Sequence, residues 1–275
     1  MFFMGKSYDF RFEELLVVFC ERMRLQRLSG KTQKNYLYNV KNFLAFLTKN
    51  SFNLNNDSVK SYFLSLESYD VNTVLQVKAS IKYFCLANNL DVDFNFLPSP
   101  KKKKSLPKVV SKEEVKQAIK RAGNLKHKLI IILLYSSGLR VSELVNLKRK
   151  NIDFINKTVF IEQSKCCKDR YTLLSEKAES YLAEYISKEK FSSSYLFEGR
   201  KGKYSVKSVQ EILKKCFTRH VTPHMLRHSF ATHLLEEGVN IKYIQKLLGH
   251  SRVEATNVYL HVSKSDFLKV KSPFD

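Results

Sequence analysis

The stretch Thr222-Pro223-His224-Met225-Leu226-Arg227-His228 decides how this chain is read, together with Leu248-Gly249-His250-Ser251 and Thr256-Asn257-Val258-Tyr259-Leu260-His261 after it. Thr222 is a helix cap, and Pro223 suits the first helical position, where a missing N–H costs nothing. His224 and Arg227 are then three apart and share a face. Leu226, Phe230 and Leu234 lie on a different face and turn inward. The free backbone amides at such a helix start favour an anion. A histidine, an arginine and a helix N-terminus together suit a phosphate. The bland alternative is a surface helix that happens to carry these side chains. A third reading is a metal site, because His220, His224 and His228 are spaced by four and His233 follows. Against it, His220 precedes Thr222-Pro223 and so falls outside the helix, and no carboxylate sits inside the pattern.

Downstream, Gly238 ends this helix. Ile241, Ile244, Leu247 and Leu248 build the next, and Gly249 ends that one. His250 is therefore left at a turn, placed by backbone geometry. Tyr259 falls in a helical stretch, where a tyrosine is ordinarily core.

Upstream, Ser111 with Glu114 forms a capping-box pattern for a helix reaching about Ala122. Lys128 to Ser136 is apolar enough for a buried helix, broken by Gly138, and Ser142 to Lys148 is a short one. Residues 152–154, 158–161 and 170–174 read as strands, 176–188 as a helix, Leu196-Phe197 as a short apolar element, and 205–218 as a helix. This half is mixed α+β with a small antiparallel sheet.

Residues 1–96 read as four or five short helices around an aromatic-rich core. The first spans 8–28; the second follows a break at Ser29-Gly30-Lys31-Thr32 with Thr32 as cap; the third carries Val59 and Tyr62; the fourth opens at Asn72. Between the halves, 97–108 holds Pro98, Pro100 and Pro107 with Lys101, Lys102, Lys103, Lys104 and Lys108. The prolines preclude a helix, and the lysines repel one another into extension. Such a segment either tracks a phosphate backbone, letting the halves close around a duplex, or is a solvated tether. The domains are then 1–96, a basic linker 97–108, and 109–275 with a tail at 262–275.

The net charge is +22, unevenly spread: residues 1–96 hold 12 Lys+Arg against 9 Asp+Glu, and residues 97–275 hold 36 against 17. A lysine-rich background does not explain that asymmetry; a polyanionic partner, nucleic acid before membrane, does. The five cysteines, two of them adjacent as Cys166-Cys167, form neither a disulfide framework nor a zinc pattern. Reduced thiols in a cytosol are the simplest reading. The N-terminus lacks a signal-peptide pattern, and the most apolar run, Leu129 to Tyr135, falls well short of the roughly 20 residues that span a bilayer. The expected compartment is the cytoplasm.

His-x-x-Arg-His, Leu-Gly-His-Ser and Thr-x-x-Tyr-x-His, in this order, resemble the C-terminal signature of the tyrosine recombinases, the family of phage integrases and Xer chromosome-dimer resolvases. Ser137-Gly138-Leu139-Arg140-Val141-Ser142-Glu143-Leu144 resembles that family's first arginine motif. The length and layout are most similar to Xer-type members. The resemblance implies a SAM-like helical core-binding domain and a catalytic domain of the DNA breaking-rejoining fold. It implies Arg140 and Arg227 on the phosphate oxygens, and His224 accepting the tyrosine proton or holding the phosphate. His250 would hydrogen-bond the same group, and Tyr259 would be the nucleophile giving a 3′-phosphotyrosine link. Glu143 either orients the pocket through Arg140 or His224 or is an ordinary helix-start acid.

The family's hairpin pattern, Gly-Lys-Gly-x-Lys-x-Arg, is matched by Ser164-Lys165-Cys166-Cys167-Lys168-Asp169-Arg170. Lys165 aligns as the proton donor. Both glycines are replaced, which makes Lys168 the substitute candidate; Lys168 and Arg170 are also candidates for DNA contact. No metal, ATP or other cofactor is implied. A tetramer on two duplexes is implied, of one chain or with a paralogous recombinase, exchanging its C-terminal tails, working through a Holliday junction, and with a motor protein as potential activator. Rival readings are a type IB topoisomerase and a non-catalytic DNA-binding regulator on the same scaffold.

Overall fold

A computed structural model describes residues 12–95, 108–164, 168–199 and 202–249. The chain divides into two compact units, 1–104 and 105–275. The expected linker, apart from Lys108, lies outside the described residues.

Among its described residues the first unit has four helices, α1 Glu13–Leu25, α2 Gly30–Lys49, α3 Asn56–Leu64 and α4 Val71–Ala87. Aromatic and aliphatic side chains at three- and four-residue spacing make one core of Phe19, Phe43, Leu44, Leu47, Ile81 and Phe84, all fully buried. Phe19 meets Phe84 edge-on at 5.4 Å. Two boundaries differ from expectation. The first helix stops at Leu25 because Arg27 turns left-handed at φ 51°. The second is capped by Ser29, not Thr32: the Ser29 hydroxyl accepts from the Thr32 amide at 3.1 Å, which places Gly30 inside the helix.

The second unit is built around α6, Leu125–Ser136. Every residue from Leu129 to Leu134 is buried, because α5 (Lys112–Arg121), α8 (Glu176–Lys188), α9 (Val206–Cys216) and α10 (Pro223–Glu236) pack around it. Each such side chain contributes roughly 1.5–3 kcal/mol on burial. The Ser111–Glu114 capping box forms as read. After α6 the chain turns at Gly138 into α7, Val141–Asn146, shorter than the expected 142–148.

A three-stranded antiparallel sheet follows, in the order β1 Ile152–Asp153, β2 Thr158–Ser164, β3 Lys168–Leu173. Phe160 pairs with Tyr171 and Ser164 with Lys168, and the register slips between Ile161 and Ser164. A small hairpin, β4 Glu198–Gly199 with β5 Gly202–Lys203, was not foreseen. The last described helix is α11, Ile241–Leu248. Among the described residues no helix is long and apolar enough to cross a membrane.

Candidate active site

Helix α10 starts as its sequence dictates. Thr222 is the cap, its hydroxyl accepting from the Met225 amide at 3.3 Å, and Pro223 opens the first turn. His224 lies exposed in that turn, whereas Arg227, one turn on, is 4% exposed. The Nη1 of Arg227 donates to the Gly138 carbonyl at 2.6 Å, and its Nη2 donates to the Leu248 carbonyl. One buried guanidinium therefore ties the turn after α6 to the C-terminus of α11. Both are glycine turns: Gly138 has φ 59° and Gly249 has φ 63°, values that favour a residue without Cβ.

Three residues past Gly138, the first turn of α7 places Glu143 back on Arg140. The Arg140 amide donates to Glu143 Oε2 at 2.7 Å and its Nη1 donates to Oε1 at 2.7 Å. Opposite, Arg170 on β3 donates Nη1 and Nη2 to the same two oxygens at 2.7 and 2.8 Å. Arg227 Nη1 stands 3.8 Å from Oε2. Glu143, with a side chain 6% exposed, thus sits among three guanidinium groups. Burial pushes its carboxyl up, but the hydrogen bonds and charge of Arg170, with the amide and guanidinium of Arg140, outweigh that and hold it at about 2. The carboxylate stays ionised, and the cluster keeps an excess of two positive charges.

The surroundings sharpen this field. Arg170 Nε donates to the Leu247 carbonyl at 2.8 Å, so the last carbonyls of α11 face two cations, the favourable end of a helix dipole. Arg140, 18% exposed at its side chain, lines a cleft of about 630 Å³ with Ser142, Lys148, Asn151 and Glu162. His228, four residues after His224, is half-buried; burial first, then the charges of His224 and Arg227, push its pKa down, which favours the neutral ring. Preorganised donors around an open cleft suit an anion whose charge grows during reaction.

Of the residues singled out from the sequence, Arg140, Glu143 and Arg227 come together, with His224 exposed at the start of the helix that carries Arg227. Glu143 is at once the helix-start acid of α7, accepting from the Arg140 amide, and the centre of the cluster. Arg170, expected among the DNA-contacting cations, is buried and committed to Glu143 and Leu247. Lys108 is exposed, and Lys168 lies on β3. Lys101, Lys102, Lys103, Lys104, Lys165, His250, Tyr259 and the tail at 262–275 lie outside the described residues. The carbonyls of Gly138, Leu247 and Leu248 were not foreseen; the two glycines were the available signal.

Comparison with known proteins gives the same outline. Residues 108–266 match the Phage integrase family, and residues 15–86 match the Phage integrase, N-terminal SAM-like domain. The chain is 36% identical over 249 residues to Tyrosine recombinase XerA of Pyrococcus horikoshii, covering 88% of this chain and 82% of that protein. It is 33% identical to Tyrosine recombinase XerA of Thermococcus kodakarensis, covering 94% of each. Among solved structures, a crystal structure of XerA recombinase superposes with a TM-score of 0.54 at 29% identity, covering 94% of this chain and 97% of that one. The XerH site-specific recombinase bound to difH substrate gives 0.69 at 20% identity, covering 93% and 83%, a likeness of fold.

Proposed function

The chain belongs to the phage integrase family and is a tyrosine recombinase, and we propose that it cuts and rejoins double-stranded DNA at specific sites through Tyr259. The Tyr259 phenolic oxygen attacks the scissile phosphorus. The new O–P bond forms as the bond from phosphorus to the 5′-oxygen breaks. The phenolic proton passes to His224, unless that ring holds the phosphate instead. The leaving 5′-oxygen takes a proton from Lys165, with Lys168 the alternative donor. The products are a 3′-phosphotyrosine and a 5′-hydroxyl, and attack by the 5′-hydroxyl of another strand reverses the step. The covalent link retains the bond energy, so no ATP is consumed, and the Arg/His/Lys set makes a metal dispensable.

Arg140 and Arg227 hold the non-bridging oxygens, with the planar fork that suits them. His250 hydrogen-bonds the same group. A tyrosine has a pKa of about 10, and a cationic pocket lowers the cost of its phenolate near neutral pH. Exchange proceeds strand by strand through a Holliday junction in a tetramer, of one chain or with a paralogous partner, in the cytoplasm. Residues 262–275 pass between protomers, the lysines at 101–104 and 108 follow the backbone, and a motor protein is a candidate activator.

The observation that supports this reading is the arginine cluster around Glu143, which brings Arg140 and Arg227 to one carboxylate. A nicked suicide substrate tests it. Wild type on a bound site is expected to leave a protein–DNA adduct, and Tyr259→Phe is expected to bind without one. Adduct at the wild-type level from Tyr259→Phe would sink the assignment.

A further inference from the structure

We infer that Arg170 is a positioning residue for strand cleavage, acting through Glu143 and through the turn that follows α11. The inference rests on the reading above and adds a component that its chemistry does not name. A carboxylate offers about four lone-pair sites. Glu143 has all four occupied: two by Arg170, one by the Arg140 amide and one by Arg140 Nη1. Glu143 therefore makes no further demand on Arg227, whose Nη1 stays 3.8 Å away and whose terminal nitrogens reach the Gly138 and Leu248 carbonyls. Without Arg170, half of that buried carboxylate is uncompensated, and Arg227 is the nearest cation able to answer it. The shift would draw a phosphate-holding arginine inward.

The same side chain acts on a second element. Its Nε caps the Leu247 carbonyl, and its Cδ lies 2.7 Å from where a Cβ on Gly249 would stand. Arg170 thus fills the space beside the left-handed turn that delivers the chain to position 250. It is on the strand that begins at Lys168, so one residue fixes the hairpin strand, the α11 turn and the Glu143 hub relative to one another. Its fork is engaged by the Glu143 carboxylate, whereas the terminal nitrogens of the equally buried Arg227 meet neutral carbonyls, and this sets Arg170 apart as the partner of Glu143.

The test compares Arg170→Gln, Arg170→Lys, Glu143→Gln and the Arg170→Gln/Glu143→Gln double variant. DNA affinity is measured against salt, and the single-turnover rate of adduct formation at saturating DNA. Arg170→Gln is expected to lower the saturated rate about 100-fold, the size of a small misplacement. The slope of log affinity against log salt should not change, since loss of one phosphate contact shifts it by about 0.9. Arg170→Lys should recover part of the rate. In the Glu143→Gln background, Arg170→Gln should cost less than about tenfold, because the two act as one unit. A salt slope reduced by about one with a wild-type saturated rate would make Arg170 a DNA ligand and overturn the inference. So would effects that multiply in the double variant. If Arg170→Gln does not fold, Arg170→Lys carries the same comparison, since it keeps the charge but not the fork. Wild type that binds its site yet forms no adduct sinks the functional reading and this inference with it; normal adduct from Arg170→Gln sinks the inference alone.

Discussion

Gly138 and Phe230 are packed so closely that a Cβ at position 138 would lie 2.5 Å from the Phe230 ring. Gly138 also has φ 59° and offers its carbonyl to Arg227. Gly138→Ala therefore combines left-handed strain of roughly 1–2 kcal/mol with overpacking of about 1–3 kcal/mol. The expected outcome is a lower denaturant midpoint together with a slower saturated cleavage rate, since the displaced turn carries an Arg227 acceptor. An unchanged midpoint would show that the ring moves aside freely.

Glu143 gives a pH-dependent prediction. Its carboxyl is held at about 2, below the usual 4.5. A lowered folded pKa means stability that is present above about 4.5 and lost as pH falls through about 2. At 1.36 kcal/mol per unit this is worth roughly 3 kcal/mol. Glu143→Gln should be destabilised by an amount of that order at pH 7, and the gap should narrow steadily below pH 4.5. Denaturation series at several pH values check this; a gap as wide near pH 2.5 as at pH 7 would contradict it.

Ser229 holds the backbone that leads into α5. Its hydroxyl accepts from the buried Val110 amide at 2.7 Å and donates to the Met225 carbonyl at 2.8 Å. Ser229→Ala leaves that amide without an acceptor, a loss of about 1–3 kcal/mol. Hydrogen exchange at Val110 should quicken, and a protection factor equal to wild type would refute the role.

Lys165→Ala should slow cleavage by about 10²–10⁴-fold, the usual value of a general acid. A 5′-phosphorothiolate substrate, whose sulfur leaves without a proton, should restore most of the rate. Rescue of Lys168→Ala instead would move the proton donor to Lys168.

Much of the fold was legible because its signals are local. The Thr222-Pro223 start of α10, the Ser111–Glu114 box, the bounds of α8 and the glycine ends of α10 and α11 all follow from backbone rules acting over a few residues. Local rules failed where two options were equally local: Ser29 and Thr32 can both cap, and the helix starts from Ser29. They say nothing of facing on β3, where the polar Arg170 and Thr172 are buried while Tyr171 and Leu173 are exposed. The polar pair goes inside because partners wait there, Glu143 for Arg170 and the Ser137 carbonyl for Thr172. Those partners come from elements far apart in sequence, so no window of the chain displays them. The motif pair Arg140 and Glu143 was visible; that Glu143 unites three arginines was not.

The space that Gly249 leaves empty is the space that Arg170 fills, and this sets an order on how the chain can diverge. A side chain gained at 249 first meets the arginine stem, so that change waits on a shortening at 170. Even then, φ 63° restricts position 249 to glycine or an asparagine-like residue. A change at 170 has no such precondition at 249. The two positions should therefore covary in one direction only: descendants lacking the arginine with the glycine retained are reachable, while descendants keeping the arginine with a bulky residue at 249 are not.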